Sequence, residues 1–129
     1  MDRYWKDTWV DALRSGNYTQ TQDTLCRVGD GPDGENTYCC LGVLLELIPA
    51  VTSNKIEDAD NEGKMILEYT YDNTGVPNCG RLPEAVTNIV ELNLKLGVVG
   101  DDDEEQILIG MNDDGSTFDE IADYIEDEL

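Results

Sequence analysis

The chain has 129 residues, 40% of them hydrophobic, and sets 29 acidic against 8 basic side chains for a net charge of −21. That length fits one domain, residues 1–129, with a single core, and the apolar fraction argues against disorder. The charge disfavours direct binding of nucleic acid or anionic membrane, and the sequence has no histidine, the commonest general base.

Residues 2–15 read as an amphipathic helix. Asp2 is placed to cap it, Trp5, Trp9, Ala12 and Leu13 share one face, and Gly16 stops it. From Tyr18 to Val28 the chain is polar and threonine-rich, which predicts a short strand or extended arm. The turn formers of Gly29–Asn36 then make a surface loop, and Thr37 is placed to cap the next helix.

The most apolar run, Tyr38-Cys39-Cys40-Leu41-Gly42-Val43-Leu44-Leu45-Glu46-Leu47-Ile48, cannot stay exposed on a stable monomer. Its leucines, and Pro49 just past its end, predict a buried helix over 39–48 in which Gly42 allows a neighbour close approach. The cysteines, Cys26, Cys39, Cys40 and Cys79, lack zinc-site spacing and read as small core hydrophobes.

Residues 52–58 and 64–72 flank Asp60-Asn61-Glu62-Gly63 and predict a small antiparallel hairpin. Asp58, Asp60, Glu62 and Gly63 match the opening of an EF-hand loop, but Tyr69 stands where a bidentate glutamate must close the calcium shell. The reading is therefore a plain acidic turn, with no metal site and no cofactor.

Residues 73–81 read as a loop. Pro83 suits the first turn of a helix with Leu82, Val86, Ile89 and Val90 on one side, ending near Leu92 to Gly97. The acidic run 101–105 reads as the solvated start of a helix bearing Ile107, Leu108 and Met111, and residues 112–115 read as a turn. Ser116 or Thr117 opens a capping box with Asp119 or Glu120, before a stripe of Phe118, Ile121, Ala122, Ile125 and Leu129.

The whole predicts an α+β fold: a single compact domain with four or five helices around a central buried helix (39–48) and a small antiparallel hairpin. No run is long enough to span a membrane, and no signal-peptide pattern precedes Trp5, so the expected location is cytoplasmic. Residues 101–129 hold 13 acidic residues and no Lys or Arg, a surface suited to a basic partner.

Three segments carry a resemblance: WVDALRSGNYTQ (Trp9–Gln20), YCCLGVLLEL (Tyr38–Leu47) and MNDDGSTFDEIADYIEDEL (Met111–Leu129). They resemble a family of small proteins of tailed bacteriophages and prophages, with the pattern W-x3-LRSG-x-Y-x-Q, YCCLGVL and LND-x-G-x-(S/T)F-x-EIAD-x-IE; Met111 replaces its leucine. The resemblance implies a phage gene product acting in the host cytoplasm, and it brings no reaction with it.

With no catalytic constellation beyond Cys39 or Cys40 beside a carboxylate, the expectation is a non-enzymatic binding protein. The first form is a counter-defence sponge that sequesters a small anionic, nucleotide-type immune signal. Its candidate site is Arg14, Tyr18, Gln20, Tyr38 and Cys39, with phosphate at the N-terminus of the 39–48 helix and ring stacking on a tyrosine. The competing reading has Arg14 pairing with a carboxylate or helix-end carbonyl and Tyr18 packing on the core. A second form is an acidic DNA mimic or decoy that blocks a basic host protein; a third is a structural or accessory phage protein. Homo-oligomerisation stays open.

Overall fold

A computed structural model describes residues 1–92 and 104–129. The described residues form an α+β domain of five helices and a mixed six-stranded sheet. Helix α1 spans Arg3–Arg14, with the Asp2 carboxylate accepting from the Trp5 N–H at 3.1 Å. It buries Trp9, Val10 and Leu13 and packs chiefly against α5 (Phe118–Glu128), which buries Phe118, Ile121, Ala122 and Ile125.

Three short strands follow α1: β1 (Thr19–Gln20), β2 (Cys26–Arg27) and β3 (Thr37–Tyr38). β3 lies between the other two, parallel to β1 and antiparallel to β2. Thr37 is therefore a strand residue rather than a helix cap, and Cys39 takes the N-cap position of α2 (Cys40–Leu47). Cys40 to Leu45 are all buried, which explains why helical periodicity is invisible in this run: its apolar residues find partners on most sides.

Among the described glycines the tightest approach is at Gly42. A Cβ there would lie 2.0 Å from the carbonyl oxygen of Leu25, which also accepts from the Cys39 N–H at 3.1 Å. Only a glycine lets α2 sit this close to the chain entering β2.

Strands β4 (Val51–Glu57) and β5 (Met65–Tyr71) pair antiparallel along their full length around the turn at 58–64. The opposite edge of β5 is shared, with β2 at Ile66 and β6 at Tyr69 and Tyr71. Strand β6 (Thr74–Asn78) corrects the expectation of a loop over 73–81.

Helix α3 (Glu84–Val90) is shorter than expected because Glu91 turns left-handed at φ 56°, and Ile89 is 36% exposed rather than inward. The predicted extension to Gly97 and the carboxylates of 101–103 lie outside the described residues. Helix α4 (Glu104–Asp113) reaches past Met111, so Asn112 is helical and not part of the turn. The expected capping box forms between Thr117 and Glu120. The shared core joins Trp9, Leu25, the α2 face, Tyr69, Val86, Leu108, Ile121 and Ile125.

Candidate functional site

The junction between the LRSG-NYTQ segment and the start of α2 is organised by Asn112, which is fully buried. Its Oδ1 accepts from the Cys40 N–H at 3.1 Å and from Gln20 Nε2 at 2.9 Å, while its Nδ2 donates to the Thr21 carbonyl at 2.7 Å. One amide thus caps α2 from another helix and fixes the chain beside β1, and with its second N–H reaching Asp113 Oδ1 at 3.3 Å it fills its own hydrogen-bonding capacity. Gln20 also donates to the Ser116 carbonyl at 2.8 Å. The Asp23 N–H reaches the Asp113 carboxylate at 2.9 Å, with Asp23 held at φ 69°.

The N-terminus of α2 is accordingly closed by protein. Cys39 and Cys40 are 7% and 0% exposed, and Trp9 Nε1 donates to the Cys40 carbonyl at 2.9 Å. Burial pushes the Cys39 thiol up to about 11, although the N–H groups of Gly42 and Leu41 pull the other way. Burial raises Cys40 well above the ordinary thiol range. Both are protonated at neutral pH and held away from solvent, the opposite of what a nucleophile needs.

Arg14 stands outside this junction, donating to Asp123 at 2.5 Å and to Glu126 at 2.6 Å across the α1–α5 seam. Tyr18 and Tyr38 meet edge to face, with ring centroids 5.5 Å apart at 83°. Burial, then the Glu46 carboxylate, raises the Tyr38 phenol to about 12. The structure therefore brings Gln20 and Cys39 to the Asn112 junction and Tyr18 to Tyr38, but sends the Arg14 guanidinium to α5. Asn112 was the residue missed; it sits one turn after Leu108 on a buried face, where a lone polar side chain has to be hydrogen-bonded.

Two other polar groups also serve structure. Glu105, from the acidic run read as solvated, is 3% exposed; it accepts from the Leu82 N–H at 2.7 Å and lies 3.4 Å from Arg81 Nη2. Asp58 accepts from Arg27 Nη1, Asn61 Nδ2 and the Asp60 N–H, each at 3.0 Å. Asn61, the Asp60 N–H and Arg27 hold its carboxyl below the usual carboxylate range.

A cavity of about 830 Å³ opens between β6 and α3, lined among the described residues by Tyr71, Val76, Asn78, Arg81, Glu84 and Glu105 with their neighbours. A smaller one of about 270 Å³ lies beside Arg27, Asp30 and Lys64. None of the five predicted ligand residues lines either cavity.

The most open chemistry is on α5. Asp119, Glu120, Asp123, Glu126, Asp127 and Glu128 are all exposed, and α5 itself carries no cation. No described helix is long and apolar enough to cross a membrane. No curated protein and no solved structure matches the chain. A family profile matches residues 1–129, and the chain therefore belongs to the family described as a domain of unknown function (DUF8296).

Proposed function

We propose that the chain is a non-enzymatic phage counter-defence protein that works by binding, and that it offers the acidic α5 surface to a basic host protein as a decoy. The observation that supports this reading is the layout of α5: six exposed carboxylates in eleven residues, of which Arg14 pairs with two. Asp119, Asp127 and Glu128 make no ion pair among the described residues, so a partner's lysines and arginines meet them directly. Such a surface steers association of a basic protein and repels DNA from the groove it occupies. Capture from host lysate on the immobilised chain tests this. A basic protein is expected to bind at low salt and to leave as salt rises through about 0.15 M; retention of no basic protein at low salt contradicts the reading.

A second reading, sequestration of a nucleotide-type signal, is favoured by the cavity between β6 and α3. Its 830 Å³ suits a nucleotide, and Tyr71 and Arg81 supply a ring and a cation. It stands second because Glu84 and Glu105 share that wall and repel phosphate. Thermal unfolding with a panel of cyclic and linear nucleotides decides it: a binder raises the midpoint by mass action, and no shift at millimolar ligand removes the reading.

A further inference from the structure

The outer edge of β4 is a strand edge with self-complementary charge. The bonds from the Asp58 N–H to the Lys64 carbonyl (2.9 Å) and from the Asp72 N–H to the Ala50 carbonyl (2.7 Å) fix which residues of β4 bond to β5. Even-numbered positions face β5, so the N–H and C=O groups of Ser53, Lys55 and Glu57 point away from it. Among the described residues no strand pairs with that edge. All three residues are exposed, and the strand carries no proline and no bulge, two of the devices that keep such an edge from pairing; a third, edge charge, is present as Lys55 and Glu57 but with opposite signs two residues apart.

We infer that this edge pairs with the same edge of a second copy, antiparallel about a two-fold axis at Ile56. An odd-numbered residue must then meet an odd-numbered one, and the register centred on Ile56 sets Lys55 of each copy opposite Glu57 of the other. Centring one residue earlier, on Lys55, would oppose two ammonium groups; centring on Asn54 would leave both charges without partners. The favoured register makes about four new backbone hydrogen bonds and two opposite-charge pairs, and brings the half-buried Ile56 side chains together at its centre. Lys55 has no ion-pair partner among the described residues, and Glu57 accepts only a long bond, 3.5 Å, from the Gly63 N–H. The edge residues are distinct from those of α5.

Sedimentation from micromolar to millimolar concentration at about 0.15 M salt, enough to damp the mutual repulsion of two −21 chains, is the test. Wild type is expected to pass from monomer to dimer. Lys55→Glu or Glu57→Lys alone sets like charges opposite each other twice and weakens association about tenfold or more, whereas the double reversal restores it. Ile56→Cys crosslinks to itself on mild oxidation, and Asn54→Cys, displaced to face Asp58, does not. Wild type that stays monomeric at millimolar concentration, or a double reversal no tighter than either single one, overturns the inference.

Discussion

A single buried amide sets the geometry of the segment that the sequence marks most strongly. Asn112 meets Cys40, Gln20 and Thr21 at once, so its removal leaves the Cys40 N–H and the Thr21 carbonyl without partners inside the core. Asn112→Ala is expected to lower the unfolding free energy by about 2–4 kcal/mol in urea titrations; a loss below about 1 kcal/mol contradicts this role. The neighbouring thiols give a pH signature. Cys39 is raised to about 11 and Cys26 to about 12, both by burial, so the folded state holds protons that the unfolded chain releases near the ordinary thiol value of 9.0. Their contribution to stability is therefore complete below about pH 9 and is lost as pH rises toward the folded values. Urea midpoints should fall across that window, and less steeply in Cys39→Ala. Thiol reagents should label the half-exposed Cys79 first, and labelling of Cys39 in the native protein at a comparable rate would contradict its burial.

At the level of elements, the close approach of α2 to the chain before β2 is the feature most sensitive to one added carbon. Gly42→Ala drives a Cβ against the Leu25 carbonyl and should cost about 3 kcal/mol or more. Gly110→Ala, at a helical position with nothing described within 4 Å, should stabilise by about 0.5–1 kcal/mol through helix propensity alone. Thermal unfolding of both checks the pair, and equal effects contradict the packing. The helices were largely legible because their signals are local: Asp2 and Thr117 cap at three-residue range, and the stripes of α1 and α5 repeat every turn. Strand β6 was not legible, since Gly75 and Pro77 depress strand propensity and Val76, 86% exposed, leaves no alternation to read. The junction was only half legible. Its segments stand out by composition, but the bond from Gln20 to Asn112 spans 92 positions and leaves no local pattern. Likewise nothing in a run of carboxylates tells that Glu105 is the one turned toward Leu82. Arg14 followed the competing expectation, because the last turn of α1 packs beside α5 and its guanidinium meets the carboxylates of Asp123 and Glu126 there.

For the whole molecule, charge is the dominant fact: −21 on a domain of this size costs stability by self-repulsion, and α5 adds six carboxylates with no cation of its own, Arg14 offsetting two of them. Screening should therefore raise the urea midpoint from low to high salt, the reverse of a protein held by surface ion pairs; a midpoint that falls with salt contradicts this. The same charge is what a basic partner would use. The most direct test of the binding reading is the salt dependence of affinity for the basic host protein captured at low salt, measured for wild type and for a variant with Asp119→Asn, Asp127→Asn and Glu128→Gln. These three carboxylates are exposed and make no ion pair among the described residues. Wild type is expected to bind with a steep salt dependence and the variant about tenfold more weakly with a shallower one. Equal affinity and equal salt dependence in the two proteins would contradict the assignment of α5 as the binding surface.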